Sequence, residues 1–354
     1  MIISYGKNKY LNPGLPETRD YVAKVVADVV TRYDIDAVHM DDYFYPYKLP
    51  ELDVPDEEAF QKYPRGFKKE EKEDWRRDNV DLVIKQLQDT IKSIKPWVRF
   101  GISPFGVWRN KSADPLGSDT QSKQTNYDDL YADILKWLKL GWIDYVTPQA
   151  YWHIGFKIAD HQKIAEWWDT NSFNRNLYIG HGVHRLNKKS KNIEWRSSKE
   201  IIKQIELSRS LPNVSGNFYF SSKVFIKNPV KINQTLRKKI YPYPALIPVN
   251  PAIGGKPPPP PVNVLVKSAQ DSVYISWDQN NTVENGCYYV VYRYKDKKAI
   301  NPDDPSNIFF ITRNNQLSLK KRWVLSRRTY NFTITSVSRS HHESKPGELV
   351  EVRY

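Results

Sequence analysis

Two adjacent carboxylates, Asp41 and Asp42, end an apolar stretch that begins at Ala37. Side chains alternate between faces along a β-strand, so Ala37, His39 and Asp41 share one face. If this face lies inside a barrel, Asp41 stands at the C-terminal end of its strand, where barrel enzymes place their catalytic groups. We therefore take Asp41 and Asp42 as the candidate catalytic residues. A solvated aspartate pair that caps a turn is the structural alternative.

Cleavage of a glycosidic bond is the chemistry that such carboxylates suggest, and it requires two of them on opposite sides of the bond. Their separation is about 5 to 5.5 Å in retaining enzymes and roughly 6.5 to 9.5 Å in inverting ones. Asp42 points to the opposite strand face, which suits it better to holding an arginine or a sugar hydroxyl. The proton donor is then expected from loop residues Asp114, Asp119 or Asp128, or from barrel units that the chain lacks.

Aromatic and polar side chains follow the ends of the predicted strands, where flat faces could stack on sugar rings. Each of them could instead have a purely structural role, because a tryptophan is often a core residue and a histidine often forms hydrogen bonds within the fold. Their recurrence at five strand ends favours a carbohydrate site. The candidate substrate-binding residues are His39, Tyr43, Tyr45, Trp108, Arg109, Gln149, Tyr151, Trp152, His181, His184 and Tyr219.

The composition limits the possible partners and cofactors. The 354 residues include 54 Lys or Arg and 40 Asp or Glu, a net charge of +14 that favours an anionic partner. The basic residues look scattered or interleaved with acidic ones, so we expect no nucleic acid. Cys287 is the single cysteine, which excludes an intrachain disulfide and a cysteine-rich zinc site. We expect no cofactor and no bound metal, and the sequence predicts no membrane span and no signal peptide in this chain.

The elements that must position these residues alternate between helices and strands. Five helix-then-strand units precede a proline-rich stretch, and such alternation predicts a parallel sheet, commonly an eight-fold barrel. Since a barrel of that kind needs eight strands, we expect three N-terminal units to be missing. The predicted strands of these units are 35–40, 98–103, 142–149, 177–183 and 216–221.

The predicted domains are a barrel over residues 1–240, a proline-rich linker over 241–261 and an all-β sandwich over 262–354. Short alternating runs after Pro261 predict the sandwich strands, at 262–266, 272–277, 288–294, 308–311 and 330–337. Their order and their tryptophan and tyrosine positions resemble a fibronectin type III domain.

Several sequence motifs resemble those of the glycosyl hydrolase-like 10 family. They are Leu11-Asn-Pro-Gly-Leu-Pro-Glu17, His39-Met-Asp-Asp-Tyr-Phe-Tyr-Pro46, Trp75-Arg-Arg77, Phe100-Gly-Ile-Ser-Pro-Phe-Gly-Val-Trp-Arg-Asn110 and Pro148-Gln-Ala-Tyr-Trp152. The resemblance covers about residues 5–240 and implies an α-amylase-type (β/α)₈ TIM barrel in the bacterial cell envelope, either periplasmic, outer-membrane associated or secreted. It also implies hydrolysis of a polysaccharide, with peptidoglycan glycan strands the leading substrate.

Two departures from the amylase-type pattern keep alternatives open. His39 stands where a basic arginine precedes the nucleophile, and the strand that ends near Ser103 lacks the usual glutamate. One alternative is a metal-dependent polysaccharide deacetylase that uses Asp41 or Asp42 with His181 and His184 as ligands. The other is a glycan-binding protein without catalytic activity.

Overall fold

The computed structural model describes residues 1–250, 253–279, 288–295, 300–321 and 328–354. Within them the chain divides into two compact units, Met1–Ile240 and Tyr241–Tyr354. Cys287 and residues 251–252 of the proline-rich stretch lie outside the described residues. No helix in the described part of the chain is both long and apolar enough to cross a lipid bilayer.

The first unit alternates helices and strands after an N-terminal hairpin. Its elements are β1 (Ile2–Tyr5), β2 (Asn8–Leu11), α1 (Pro16–Arg32), β3 (Ala37–Met40), α2 (Glu57–Lys62), α3 (Lys72–Ile94), β4 (Arg99–Ile102), α4 (Asn126–Asp129), α5 (Ile134–Leu140), β5 (Tyr145–Val146), α6 (His161–Thr170), β6 (Asn176–His181), α7 (Lys199–Ser210), β7 (Val214–Tyr219), α8 (Ser222–Lys227) and α9 (Ile232–Thr235). A π-helical turn, Leu236–Ile240, ends the unit.

Strands β3 to β7 form one parallel sheet, and they neighbour each other in the order of the sequence. The predicted mixed α/β unit with a parallel sheet is therefore confirmed. In the described residues the sheet stays open, with β3 and β7 at its edges, and no closed barrel is formed. The β5 ladder is shorter than predicted because Pro148 has no N–H to donate, although Gln149 resumes pairing with both neighbouring strands.

The outer face of the sheet packs against the helices. Phe100, Ile102 and Val146 are fully buried there together with Ile84 of α3. Burying one such side chain stabilises the fold by about 1.5 to 3 kcal/mol.

The inner face of the sheet is aromatic. The ring of His39 stacks on Tyr145 at 5.8 Å and on Phe218 at 5.7 Å, and Phe218 lies 5.3 Å from Tyr178. Gly101 provides the space for this layer, because a Cβ there would lie 2.1 Å from the Tyr145 ring. Phe218 is 40% exposed, so the described residues leave this face open.

The N-terminal residues form a hairpin of two short strands, β1 and β2. Strands β1 and β2 pair antiparallel and stay separate from the parallel sheet. The Tyr5 hydroxyl ties the hairpin to the loop after β3, donating to the Leu52 carbonyl at 3.0 Å and accepting from the Leu49 N–H at 2.8 Å.

The described residues of the second unit form seven strands in two antiparallel sheets. They are β8 (Val262–Ser268), β9 (Ser272–Asp278), β10 (Tyr288–Tyr294), β11 (Ile308–Thr312), β12 (Gln316–Lys320), β13 (Thr329–Val337) and β14 (Val350–Arg353). One sheet has the order β12-β9-β8 and the other β11-β10-β13-β14. The core between them includes Trp277, Val291 and Phe332. The sequence analysis did not predict β12 or β14, which contribute few apolar residues each.

Candidate functional site

Asp41 lies where β3 ends, on the aromatic inner face of the sheet. It is exposed to solvent, and its Oδ1 accepts a hydrogen bond from Gln149 Nε2 at 2.7 Å and from the Asp42 N–H at 2.9 Å. Gln149 also donates to the Ser103 carbonyl at 3.0 Å, which ties it to the end of β4. Three neighbouring strand ends therefore orient the carboxylate of Asp41.

Asp42 differs from Asp41 in being only 2% exposed. Its Oδ2 accepts a hydrogen bond from the Tyr47 hydroxyl, and its carboxyl group is hydrogen-bonded to that of Asp41. The pKa of Asp42 is raised to about 6, chiefly by burial and also by the nearby Asp41 charge, while the Tyr47 hydrogen bond opposes both effects. Asp42 therefore holds its proton over a wider pH range than an exposed aspartate.

The strand alternation that would place Asp42 on the opposite face does not extend to it, because β3 ends at Met40 and the chain bends at Asp42. Two carboxyl groups that hydrogen-bond each other lie closer than the about 5 to 5.5 Å of a retaining pair. Asp41 and Asp42 are therefore too close to act from opposite sides of one glycosidic bond.

Two groups of aromatic rings lie near this carboxyl pair. In the first group Tyr47 contacts Tyr43 at 5.9 Å and Phe105 at 6.3 Å, and Phe105 contacts Trp152 at 5.4 Å. These rings extend from the loop after β3 to the loop after β5.

The second aromatic group comprises Tyr151, His184 and Phe220, with ring distances of 5.3 to 5.7 Å between the three pairs. Burial raises the pKa of Tyr151, and the charges of Asp41 and Asp42 raise it further, so Tyr151 lies near both carboxyl groups. Burial lowers the pKa of His184, whose Nδ1 lies 3.2 Å from the Phe220 carbonyl oxygen. The strand ends of β5, β6 and β7 thus meet beside Asp41.

Strand alternation explains why two predicted site residues lie elsewhere. His181 shares the helix-facing side of β6 with Leu177 and Ile179. Its ring stacks on that of Tyr219, a residue of β7, with 5.5 Å between the ring centroids. His181 is fully buried, with Nδ1 3.0 Å from Gln204 Oε1 and Nε2 2.7 Å from Asn217 Oδ1. Neither His181 nor Tyr219 joins the Asp41 cleft, which contradicts the prediction for both.

Two further predicted residues serve the fold. Tyr45 is 1% exposed, and its hydroxyl accepts a hydrogen bond from Asn79 Nδ2 at 3.1 Å. Trp108 is also buried and stacks on Trp167 at 6.0 Å. The structure therefore does not bring Tyr45 or Trp108 to the cleft.

Arg109 is held by two of the carboxylates that were considered as proton donors. Its Nη2 lies 2.7 Å from Asp128 Oδ1, and its Nη1 lies 3.0 Å from Asp114 Oδ2. Asp128 does not cap α4, because Thr125 is the N-cap residue. The third loop carboxylate, Asp119, is exposed and pairs with Lys163. The paired Asp114 and Asp128 thus act in holding Arg109.

A buried polar network supports the loop that carries Tyr151 and Trp152. The buried Glu200 accepts hydrogen bonds from the Ile154 N–H and from Gln204 Nε2, both at 2.8 Å, and Gln204 also donates to the Trp152 carbonyl at 3.0 Å. The sequence analysis missed this network and also the cleft residues Phe105 and Phe220. Continuing the alternation from Phe218 to Phe220 was the signal that could have identified Phe220.

No set of three or more His, Cys, Asp and Glu side chains suited to a metal ion occurs among the described residues. The ligand set considered for a deacetylase is not assembled, because His181 faces the helices while His184 faces the cleft. In the described part of the chain, the cleft is therefore an arrangement of carboxyl groups, an amide and aromatic rings.

Comparison with known proteins places this geometry in a family. A family model described as "Glycosyl hydrolase-like 10" matches residues 1–197. The chain belongs to the glycosyl hydrolase-like 10 family. Among its relatives, "Glycosyl hydrolase YngK" of Bacillus subtilis (strain 168) is 39% identical over 352 residues, which are 97% of this chain and 67% of the relative.

A second family relative, "Glycosyl hydrolase DigH" of Escherichia coli (strain K12), is 41% identical over 221 residues. The match covers 61% of this chain and 49% of that relative, so this family member spans about half of DigH. Among solved structures, a Bacteroides uniformis β-glucuronidase is 10% identical over 97% of this chain and 37% of its own. Its TM-score of 0.38 is too low to support a shared fold.

Proposed function

We propose that this family member acts in glycoside hydrolysis, with Asp41 as a catalytic carboxylate in a cleft that binds a polysaccharide. The observation that carries the proposal is the exposed Asp41 carboxylate, which Gln149 and the Asp42 N–H orient between two groups of aromatic rings. Aromatic faces bind the apolar faces of sugar rings, and a positioned carboxylate is the group that glycosidic cleavage needs. Peptidoglycan glycan strands in the cell envelope are the proposed substrate, on the family resemblance.

Asp42 is proposed as a positioning residue. Its raised pKa lets Asp42 hold a proton beside Asp41 over a wider pH range than an exposed aspartate would. Protonation of Asp42 would leave Asp41 as the charged member of the pair, which is the form that stabilises positive charge on a sugar ring. Gln149 then holds Asp41 in place while the Asp42–Tyr47 contact supports it from the buried side.

We further propose that the parallel sheet belongs to an α-amylase-type (β/α)₈ barrel that spans residues 1–240 of this chain and further strands. The open strand edges and the exposed inner-face residues His39 and Phe218 support this arrangement. The proton-donating carboxyl group is proposed to lie on those further strands, because Asp42 is too close to Asp41 and Asp114 and Asp128 hold Arg109.

The second unit is proposed to be a fibronectin type III-like sandwich over residues 262–354, preceded by a linker over 241–261. The support is the three-stranded and four-stranded antiparallel sheets with a tryptophan, Trp277, in the core between them. Its proposed role is spacing or binding.

The decisive experiment compares cleavage of purified peptidoglycan glycan strands by the protein and by its Asp41→Asn variant. We expect at least about a hundredfold loss of product with retained glycan binding, because the substitution removes the charge and keeps the shape. Asp119→Asn is the matched control, since Asp119 is an exposed loop carboxylate outside the cleft.

Equal cleavage by the protein and Asp41→Asn would refute the catalytic role of Asp41. Binding that survives in both, with no cleavage of any glycan by the unaltered protein, would instead identify a glycan-binding protein.

A further inference from the structure

Residues 183–240 form a distinct part of the first unit, which we call the basic lobe. Its helices and turns pack around one small apolar cluster, separate from the main core and including Trp195, Ile205, Ile232 and Ile240. A hydrogen bond from Ser198 Oγ to Thr235 Oγ1 at 3.2 Å also joins the start of α7 to α9. Charges on these elements therefore lie around one compact body.

The basic lobe contains 14 Lys or Arg residues and 3 Asp or Glu residues, a net charge of +11 within the +14 of the chain. All 14 basic side chains are exposed, whereas Glu200 is buried and Glu194 is half-buried, which leaves Glu206 as the exposed acid. The basic residues are Arg185, Lys188, Lys189, Lys191, Arg196, Lys199, Lys203, Arg209, Lys223, Lys227, Lys231, Arg237, Lys238 and Lys239. The expectation that basic residues are scattered is therefore wrong for this surface.

The basic residues of the lobe differ from those cations of the first unit that are held in ion pairs with carboxylates. Arg76 and Arg109, for example, each contact two carboxylates. Arg209 donates a hydrogen bond to the Ile240 carbonyl. The other basic residues of the lobe form no ion pair within the described part of the chain. So dense a group of unneutralised cations repels itself and attracts a polyanion.

The basic lobe borders the Asp41 cleft at Arg185. Arg185 follows His184, and its positive charge contributes to lowering the pKa of that histidine. Burial lowers the pKa of Arg185, and no carboxylate opposes this effect. His184 contacts Tyr151 and Phe220, so a polymer lying over these rings would reach the cations of the lobe.

We propose that the basic lobe binds an anionic glycan, one that carries carboxylate or phosphate groups, and holds it along the Asp41 cleft. The proposal deepens the proposed function by naming the charge class of the polymer, and it rests on that function for the choice of a glycan. Binding by the lobe does not require Asp41 to react. A glycan is favoured over nucleic acid because the rings beside Arg185 lead directly to the Asp41–Gln149 contact.

The test measures the retardation of the whole protein in native gels that contain a dissolved polymer. Carboxymethylcellulose and hydroxyethylcellulose share one glucan backbone and differ in charge, while poly(glycerol phosphate) supplies the phosphate alternative and a short DNA duplex supplies the nucleic-acid alternative. The variant replaces Lys188, Lys189 and Lys191 with Gln. The matched control replaces Lys24, Lys62 and Lys69, which are exposed lysines outside the lobe.

We expect binding to at least one anionic glycan, no binding to hydroxyethylcellulose, and about tenfold weaker affinity after the lobe substitutions. The control substitutions should weaken affinity by at most about twofold, and added NaCl should weaken binding of the unaltered protein. The preferred polymer then identifies carboxylate or phosphate as the recognised group.

An equal loss of affinity in the lobe variant and in the control variant would overturn the proposal. Equal binding of the charged and neutral celluloses would also overturn it, as would tighter binding of DNA than of either anionic glycan. The same measurements on Asp41→Asn separate the two proposals. If Asp41→Asn still binds the polymer, the result supports binding by the lobe, whether or not the protein cleaves glycans. If Asp41→Asn no longer binds it, the polymer is bound at Asp41 and not at the lobe.

Discussion

The Asp42→Asn substitution is expected to stabilise the protein near neutral pH, although it removes a hydrogen-bonded carboxyl group. The folded-state pKa of Asp42 is about 6, against an ordinary value of 3.8. Between these values the unfolded chain has lost the proton and the folded chain retains it. Stability therefore falls as the pH rises through this window, because the unfolded state gains from ionisation first.

The size of this effect follows from the pKa difference. At 1.36 kcal/mol per pKa unit, ionisation of Asp42 costs the folded state about 3 kcal/mol above the window, to order of magnitude. Asparagine has nearly the same shape, does not ionise and can still accept the Tyr47 hydrogen bond. We therefore expect Asp42→Asn to raise the free energy of unfolding by about 2 to 3 kcal/mol more at pH about 7.5 than at pH about 4.

The assay is urea unfolding followed by tryptophan fluorescence at both pH values. Nine of the 11 tryptophans lie within residues 1–240, so the signal reports mainly on the first unit. Asp89→Asn provides the control, because Asp89 is a half-exposed surface carboxylate on α3. If Asp42→Asn changes stability by the same amount at both pH values, the argument that burial raises the pKa of Asp42 is refuted.

Two further predictions concern hydrogen bonds and ion pairs of the first unit. Tyr47→Phe should raise the pKa of Asp42 above about 6, because the hydrogen bond from Tyr47 lowers that pKa. Titration of the Asp42 carboxyl group by ¹³C NMR measures the change. An unchanged or lower pKa would contradict the Tyr47–Asp42 contact. Arg76→Met should destabilise the protein by about 2 to 4 kcal/mol in urea unfolding, because the fully buried Asp56 carboxylate loses both hydrogen bonds from Arg76 and keeps Lys72 as its ion-pair partner. The control is Arg32→Met, which removes the exposed ion pair with Asp28 and should lower the free energy of unfolding by less than about 1 kcal/mol. Equal destabilisation by the two substitutions would show that the buried ion pair of Arg76 is not important for stability.

Local sequence patterns predicted the element types of the first unit well. The helix-then-strand alternation predicted a helix before the first strand, and the apolar run before Asp41 predicted β3, because both signals come from neighbours within a few residues. The β1–β2 hairpin escaped prediction because its stability comes from tertiary contacts, such as the hydrogen bonds of Tyr5 to the distant Leu49 and Leu52.

The candidate site was predicted less completely than the fold. Gln149, Tyr151 and His184 were expected near Asp41 and lie there, since parallel strands bring their C-terminal ends to one edge of the sheet. Which histidine enters the cleft depends on strand alternation and on the exact end of β6. His181 faces the helices for that reason.

By itself the sequence determined the alternation of helices and strands, the family phrases, the position of Asp41 at a strand end and the net charge of +14. Only the tertiary structure decided that Asp42 is buried against Asp41, that Arg109 is occupied by Asp114 and Asp128, and that the segment with a net charge of +11 lies beside the cleft. The physical reason is that periodicity records which neighbouring residues share a face. Burial, pKa and charge pairing depend on side chains that are distant in sequence and meet only when the chain folds.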